Sequence, residues 1–359
     1  MKKLSIRLLL VLMALLLCST QALAAEYVLS LNLSIAPVHN RWTMAIKPWA
    51  DEINKRSEGR IQIEPYFAQA ISKQAEVVES VRTGIADLGE ATFTGGGLGR
   101  FPFHEQIINL TSPANCTVDA AALVQDLHKA FPQEAMRDVE GTKLLFLEGH
   151  SMGMIIGTRD KPVRTLDDLK GLKIGVPGGG IRVERVKALG ATVVGVTMPD
   201  MYMSLEKGII DGAVIDGDTL ISRKLGDVIK HVTLINIGGS VFYCVMNPDS
   251  FDRLPADLQK VVEDVSRDFA PPVFKQFWES MQFNGLQKWI TEQKGNLYML
   301  DPADYARAET MVAETYDGWI KFSKSKGLPA EAILQKYREL EKIYMTPWAD
   351  SKAASLVAK

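Results

Sequence analysis

The chain has 359 residues, of which 47% are hydrophobic and 23% are charged, a composition that excludes a disordered polypeptide and supplies enough apolar mass for two cores. Its 41 basic and 43 acidic residues give a formal charge of −2, so no strong positive field is available to hold a nucleic acid. Three cysteines without close Cys/His spacing argue against both a disulfide-framed fold and a zinc site, and we expect no metal and no cofactor.

The N-terminus has the pattern of an export signal. Residues 1–7 contain three basic side chains, an uncharged apolar run follows at 8–17, and small residues then occupy the positions that a signal peptidase reads, up to Ala24. The run is shorter than the roughly 20 apolar residues that a membrane-spanning helix needs. We therefore predict cleavage near Ala24 and a periplasmic mature protein. Lipid attachment at Cys18 is the alternative, which the bulky Leu17 before it disfavours.

The first half of the mature chain alternates strands with helices. Tyr27 to Leu33 has the pattern of a strand, and apolar residues at helical spacing over 42–53 predict a helix that ends before Gly59. A second strand around Ile61 and a second helix repeat the unit. This second helix ends at Gly84, because glycine suits the left-handed cap of a helix.

The second half repeats this alternation before it becomes helical. Thr165 and Asp168 are the ends of a capping-box pattern that opens a short helix. The elements predicted after it are strand 172–176, a helix to Gly190, strand 192–196, a helix from Pro199 to Gly208, strand 213–215 and strand 232–237. From Leu254 onward the apolar residues keep helical spacing. Because single helices separate successive strands, we expect parallel strands and two α/β domains, near 27–150 and 155–240.

One motif has the form of a catalytic site. Residues 149–153 match the G-x-S-x-G pattern of a nucleophile elbow, with Ser151 as the nucleophile, and follow a predicted strand at 143–147. The elbow requires a helix directly after it, whereas 154–156 has the pattern of a strand. One histidine, His231, lies downstream to serve as the base. We therefore favour coincidence and keep a secreted serine hydrolase as the alternative function.

Two short patterns have binding character. Gly178 to Gly180 lie between a strand and a helix, where backbone N–H groups and the helix dipole can hold an anion, although a tight turn explains them equally well. Asp216 and Asp218 follow a strand whose carboxyl end faces the ligand crevice of an open sheet, although solvated loop acids are the commoner explanation. Their spacing fits no calcium loop. Cys116 and Cys244 could pair in an oxidising compartment, and the sequence leaves this open.

The stretch from Thr165 to Gly212 resembles the solute-binding proteins of tripartite ATP-independent periplasmic (TRAP) transporters, of the dicarboxylate-binding type. Segments at 59–61, 79–84 and 254–259 fit the same family, so the resemblance covers nearly the whole mature chain. It implies an α/β fold of two domains, the periplasmic-binding-protein clamshell with crossover strands and a long bridging helix. It also implies capture of a small organic molecule without chemical change and delivery to a TRAP membrane permease. On this interpretation the domains are 25–152 plus about 241–280, and 153–240 plus about 281–359.

The sequence departs from the family at positions that usually bind the ligand. Where the family usually has a carboxylate-binding arginine before the Val-Pro turn, this chain has Gly175, and near the position of a second arginine it has Ile155. Ala213 to Ile215 replace the Gln-Glu-Asn that commonly follows the Asp-Gly turn. These changes predict a larger and more apolar pocket, which favours a ligand with an aromatic or bulky apolar body.

Replacement groups for the missing arginines lie nearby in the sequence. Arg182, just inside the helix after the glycine run, is the nearest donor to a ligand carboxylate, aided by the N–H groups of Gly179 and Gly180. A surface ion pair of Arg182 with a neighbouring glutamate explains it equally well. Asp216 or Asp218 is placed to meet an ammonium group. The sequence therefore predicts an amino acid or a related amphipathic organic acid as the ligand.

The first domain should supply the opposite wall of the cleft from the ends of its strands. The expected wall residues are His39, Trp42, Glu90 and Phe93. Aromatic side chains there can stack on a flat ligand, although Trp42 also shares the apolar spacing of its helix. From the second domain, we expect an apolar contact by Met198. Gly238 to Ser240 lie where the chain crosses back between the domains and are the predicted hinge.

Overall fold

The computed structural model describes residues 25–96 and 99–357, so the predicted export signal at 1–24 lies outside the described residues. Its strands are β1 Tyr27–Leu33, β2 Ile61–Tyr66, β3 Leu88–Thr92, β4 Asn115–Thr117, β5 Lys143–Gly149, β6 Met154–Thr158, β7 Lys173–Val176, β8 Thr192–Gly195, β9 Gly212–Ile215, β10 His231–Gly238, β11 Val241–Met246, β12 Asn296–Met299 and β13 Met345–Pro347. Its α-helices are α1 Lys47–Arg56, α2 Val77–Arg82, α3 Ala120–Ala130, α4 Pro132–Met136, α5 Ile181–Ala188, α6 Met201–Glu206, α7 Thr219–Ser222, α8 Pro248–Asp252, α9 Ala256–Asp264, α10 Ala270–Gln293, α11 Pro302–Ser325 and α12 Ala330–Tyr344.

Local sequence patterns account for many of these elements. The pattern in 27–33 forms β1 with the predicted bounds. The apolar stripe after it begins as a π-helical turn at Trp42–Ile46 and continues as α1. Thr165 and Asp168 form the predicted capping box, in which the Thr165 N–H donates to the Asp168 carboxylate at 2.8 Å. The segment 154–156 is extended and begins β6, as its pattern indicates.

Two mixed sheets carry the fold. The first sheet has the order β2-β1-β3-β11-β5, in which β11 runs antiparallel to both of its neighbours. The second has the order β12-β10-β6-β9-β7-β8, in which β6 runs antiparallel to both of its neighbours. The parallel strands of each sheet end along one side, which we call the carboxyl edge of that sheet. Connections through helices return the chain to the start of the next parallel strand.

The two carboxyl edges meet because two short links join the sheets there. β5 ends at Gly149 and β6 begins at Met154, while β10 ends at Gly238 and β11 begins at Val241. The first residue of each antiparallel strand therefore lies at a carboxyl edge, as the pairing of Val241 with Gly149 and of Met154 with Gly238 requires. This arrangement confirms the predicted two-domain α/β fold with crossover strands.

Helix α10 is the predicted long bridging helix, with 24 residues. Phe274 and Trp278 in its first half are buried in the core that packs on the first sheet. Trp289 in its second half is buried in a core of the second sheet. Helix α12 packs on α3 beside the first sheet, although the predicted limits group it with the second domain. The limits themselves stay predictions.

Both remaining cysteines are free thiols. Cys116 lies in β4 and Cys244 in β11, and each is buried. The disulfide that the sequence left open is therefore not formed. Burial raises the pKa of the Cys116 thiol to about 12, which makes this group a poor nucleophile in the folded protein.

Candidate functional site

Charged and aromatic side chains converge where the two carboxyl edges meet. Strand pairing fixes part of the group, because Phe242 in β11 lies opposite Glu148 in β5, and Cys244 lies opposite Glu90 in β3. The chain before α1, the link after β5, the bridging helix α10 and the loop after β9 supply the rest. We call this group the edge site, and it comprises His39, Arg41, Glu90, Glu148, His150, Asp216, Phe242 and Trp278.

Arg41 is the buried cation of the edge site. Its Nη2 donates to the Glu90 Oε2 at 2.7 Å, and its guanidinium lies 4.2 Å above the centre of the Phe242 ring. Only 4% of Arg41 is exposed, and its Nε is buried without a hydrogen-bond partner. Among the residues described in the structure, the ion pair with Glu90 is the one hydrogen bond that this guanidinium donates. A guanidinium carries five N–H donors, so most of its donor capacity is unused.

Glu148 and Glu90 form a buried acid pair beside Arg41. The Glu148 Oε2 accepts the indole N–H of Trp278 at 2.8 Å, and the two acids flank β11, with Glu90 opposite Cys244 on one side and Glu148 opposite Phe242 on the other. Burial raises the pKa of Glu148 to about 8, and burial also raises the pKa of Glu90 despite the neighbouring guanidinium. The Oε1 atoms of both carboxyl groups are buried without a hydrogen-bond partner.

Three rings form an aromatic wall next to these charges. Trp278 and Phe242 are stacked, with ring centres 5.4 Å apart and planes inclined at 24°. His150 packs edge-on against Trp278, with ring centres 4.4 Å apart. The His150 Nδ1 accepts the backbone N–H of Ser240 at 3.2 Å, and burial lowers the pKa of its imidazole, so the ring is neutral with its proton on Nε2.

Asp216 reaches the edge site from the second sheet. Its Oδ1 lies 3.6 Å from the His150 Nδ1, which is too far for a hydrogen bond, and accepts a long 3.4 Å hydrogen bond from Gln282. Asp218 accepts the Ser222 hydroxyl at 2.8 Å, and burial raises the pKa of the Asp218 carboxyl. Both predicted acids therefore lie near the junction of the sheets, and Asp216 faces the aromatic wall directly.

Arg182 is also buried, but its terminal nitrogens already have partners. The Nη1 donates to the Pro177 carbonyl at 2.9 Å, and the Nη2 donates to the Asn109 side chain at 3.3 Å and to the Gly239 carbonyl. Burial lowers the pKa of Arg182 to about 10. These bonds join α5 to the link between β10 and β11, and they differ from the surface ion pair considered above. A contact between Arg182 and the ligand stays a prediction.

The glycine turn before α5 is covered by a side chain of the first domain. The Gln106 Oε1 accepts the Ile181 N–H at 3.2 Å, so this donor at the start of the helix already has a partner. Gly180 has a φ of +66°, and a Cβ added there would lie 2.5 Å from the same oxygen. Gly179 and Gly180 line a cavity of about 520 Å³ between α5 and α11. Anion binding by these glycines stays a prediction.

The space expected at Gly175 is filled in the structure. A Cβ added to Gly175 would lie 2.6 Å from the Ile210 Cδ1 and 3.0 Å from the Met201 sulfur. The missing arginine therefore leaves room that these two side chains occupy. Ile215 is fully buried in the same core, and Met198 packs on that core while partly exposed.

The predicted residues of the first domain separate into two groups. His39 and Glu90 belong to the edge site, and burial lowers the pKa of His39 to about 4 with help from two neighbouring arginines. Trp42 packs edge-on against Phe67 in the core. A core position was the alternative that its helical spacing indicated. Phe93 is completely buried and stacks on His104 at 4.3 Å between ring centres. These two aromatic rings are parts of the core.

Five edge-site residues were missed from the sequence. They are Arg41, Glu148, His150, Phe242 and Trp278. One signal was available, because an acid at the end of an apolar strand is uncommon and Glu148 ends the run Leu144 to Leu147. Trp278 gave no such signal, since a tryptophan among apolar residues of a long helix is typical of a core.

The structural context of the serine motif differs from that of a nucleophile elbow. Ser151 is 3% exposed, and the chain continues through Met152, with a φ of +69°, into strand β6 instead of a helix. His231 begins β10, at the end of that strand away from the carboxyl edge, where its ring contacts the Tyr298 hydroxyl at 3.1 Å. Serine and histidine therefore lie at opposite edges of the second sheet.

Within residues 25–96 and 99–357, no helix is long and apolar enough to cross a membrane. The same part contains no cluster of three or more His, Cys, Asp or Glu side chains that could hold a metal ion.

Comparisons with known proteins point in one direction. The family model of the bacterial extracellular solute-binding proteins, family 7 (DctP), matches residues 34–323. A solute-binding protein of Verminephrobacter eiseniae is 26% identical over 249 residues, which are 69% of this chain and 72% of the relative. The C4-dicarboxylate-binding periplasmic protein DctP of Rhodobacter capsulatus is 25% identical over 266 residues, 72% of this chain and 77% of the relative.

A solved structure extends the comparison to the fold. The TRAP solute-binding protein of Rhodoferax ferrireducens, crystallised in complex with copurified benzoate, superposes with a TM-score of 0.75 at 25% identity. The match covers 88% of this chain and 98% of that protein. The likeness therefore includes both sheets and the links between them.

Proposed function

The chain belongs to family 7 of the bacterial extracellular solute-binding proteins, and we propose that it captures a small organic acid or amino acid with an aromatic or bulky apolar body. In this proposal the ligand binds between the two carboxyl edges, and the loaded protein delivers it to a TRAP membrane permease. The mature protein acts in the periplasm after cleavage near Ala24. No reaction is catalysed.

The edge site is the single observation that carries the proposal. The Trp278 and Phe242 rings, each 8% exposed, lie beside a buried guanidinium whose donors are mostly unused. Stacking on aromatic rings favours a flat apolar body, and a guanidinium favours a carboxylate. The benzoate bound to the Rhodoferax ferrireducens protein combines these two features.

The acids of the second sheet support the amino-acid form of the proposal. Asp216 lies opposite the aromatic wall, and no lysine or arginine in the described part of the chain forms an ion pair with it. An ammonium group of the ligand is a suitable partner for such a carboxylate. An organic acid that lacks an amine provides no ammonium partner for the Asp216 carboxylate.

Closure of the two domains supplies the mechanism. Residues 239–240 and 150–153 link the sheets, and the short link from Gly238 to Ser240 is the proposed hinge, because a few link residues can absorb the rotation of closure. A ligand that touches both carboxyl edges stabilises the closed form over the open one. The permease then distinguishes loaded from empty protein by shape.

Thermal denaturation of the mature protein with a panel of aromatic acids, aliphatic acids and aromatic amino acids tests this function. A ligand present at 100 times its Kd stabilises the folded state by about 2.7 kcal/mol, so a binder raises the melting temperature visibly. A panel without any stabilising member contradicts the proposal. Labelling with a fluorophosphonate, compared with Ser151→Ala, is the control for hydrolase chemistry, and we expect no label on either protein.

A further inference from the structure

A carboxylate ligand of the proposed function needs a cation to hold it, and the following inference rests on that function. We infer that Arg41 anchors the carboxylate of a singly charged organic acid, and that one proton shared by Glu90 and Glu148 keeps this guanidinium able to accept an anion. The anchor therefore comes from the first domain, before α1.

Arg41 has buried donors without partners. A charged group that is 96% removed from solvent is costly unless its donors have partners. The Arg41 Nη2 pairs with Glu90, the Nε is buried without a partner, and the Nη1 has no partner among the described residues. A carboxylate accepts two parallel N–H bonds from one guanidinium, so it is the ligand group that fills this deficit best.

Arg182 is the natural rival and fits less well. Its Nε, like that of Arg41, is buried without a partner, but its Nη1 and Nη2 already donate to two backbone carbonyls and to Asn109. Binding a carboxylate through those nitrogens requires breaking bonds that join α5 to the link at Gly239. Arg41 requires no such exchange, and its contact with Phe242 places the charge next to the aromatic wall.

The acid pair sets the charge that the site accepts. With one proton between them, Glu90 and Glu148 place one negative charge instead of two against Arg41. A monocarboxylate then adds one negative charge close to one guanidinium. The two other arginines near the edge site, Arg182 and Arg223, lie close to Asp216 and Asp218, so a second carboxylate on the ligand lacks a free cation and a dianion is disfavoured.

Loss of the shared proton weakens this anchor. The groups that face Glu148 are Glu90, Arg41, the Trp278 N–H and the Cys244 thiol, and the neutral His150 ring packs edge-on against Trp278. Ionisation of Glu148 places a second negative charge against Arg41, and a bound anion is repelled. Affinity for a carboxylate should therefore fall as the pH rises through the pKa of Glu148, which is about 8.

Isothermal titration with three probes tests the anchor. The probes are benzoate as the monoanion, benzamide as its neutral counterpart and phthalate as the dianion. We expect Arg41→Met to weaken benzoate at least about 10-fold while it changes benzamide by less than about 3-fold, since only the charged hydrogen bonds are lost. Arg182→Met tests the rival anchor and, because its bonds hold the link at Gly239, should change benzoate and benzamide affinity by the same factor. Wild-type protein should bind phthalate more weakly than benzoate.

Folding is checked separately. If Arg41→Met does not fold, the double variant Arg41→Met/Glu90→Gln removes both charges of the ion pair and takes its place. Circular dichroism and thermal denaturation establish the folded state before each titration. A pH series compares wild type with Glu148→Gln, and we expect the fall in benzoate affinity above about pH 8 in wild type alone.

Each result decides a different point. If Arg182→Met abolishes benzoate binding while Arg41→Met retains it, Arg41 is not the anchor, and the proposed function still stands. Equal pH dependence of wild type and Glu148→Gln overturns the shared proton. If wild type binds none of the carboxylates in the panel, the anchor and the proposed acid ligand fall together.

Discussion

Replacing Glu148 by glutamine should make the protein more stable, and increasingly so as the pH rises. The variant keeps an acceptor for the Trp278 N–H and a donor toward Glu90, which imitates the protonated acid. Burial raises the pKa of Glu148 from 4.5 to about 8. Between these two values the folded protein binds a proton that the unfolded chain releases, so wild-type stability falls as the pH increases.

The magnitude follows from the size of this window. Each pKa unit corresponds to about 1.36 kcal/mol. The difference in free energy of unfolding between Glu148→Gln and wild type should therefore increase by up to about 1.4 kcal/mol per pH unit. From about pH 5 to about pH 8 the gain sums to about 4 kcal/mol. Below the unfolded value of 4.5 the acid is protonated in both states, and the gain disappears.

Urea denaturation at a series of pH values measures this difference. The constant effect of the substitution on packing cancels, because only the slope of the difference against pH is compared. Glu314→Gln makes the same chemical change on an exposed position of α11 and serves as the control. A difference that stays constant from about pH 5 to about pH 8 refutes the buried, shared proton.

Three further predictions concern other parts of the molecule. Gly180→Ala should lower the free energy of unfolding by about 1–2 kcal/mol because of its positive φ, and by a further amount because the new Cβ meets Gln106. Gly59→Ala is the control for the backbone effect alone, since Gly59 has a φ of +79° and nothing lies within 4 Å of an added Cβ. Urea denaturation measures both variants. Trp278→Phe should lower the free energy of unfolding by about 1–3 kcal/mol in the same assay, because it leaves a buried carboxyl oxygen of Glu148 without its donor. An unchanged free energy of unfolding contradicts that hydrogen bond. Cys116 should resist iodoacetamide in the folded protein, since burial raises its thiol pKa to about 12, and react after unfolding; alkylation of the folded protein, read by mass spectrometry, contradicts this.

Local patterns in the sequence were sufficient for much of the fold. The bounds of β1 and the capping box at Thr165 depend on residues within one turn or one strand of each other, so a single sequence contains the information. The crossover topology followed from the family resemblance and from the rule that single helices join parallel strands. The packing of α12 on α3 depends on surfaces two hundred residues apart, and no local pattern determines it.

The edge site was partly predictable for the same reason. Glu90 and Asp216 were found because residues at the carboxyl ends of parallel strands meet at one edge. Arg41 was missed because its importance depends on which of its donors remain unpaired. Trp278 was missed because its partner, Glu148, lies 130 residues away in the sequence.

The central claim is that the protein binds a small organic acid between its two sheets and releases it unchanged. Equilibrium dialysis of the mature protein against benzoate, followed by mass spectrometry of the recovered ligand, tests this most directly. The account predicts saturable binding of one molecule per chain and recovery of intact benzoate. Absence of saturable binding for benzoate and for every other acid and amino acid of the panel, or recovery of a chemically altered product, would contradict it.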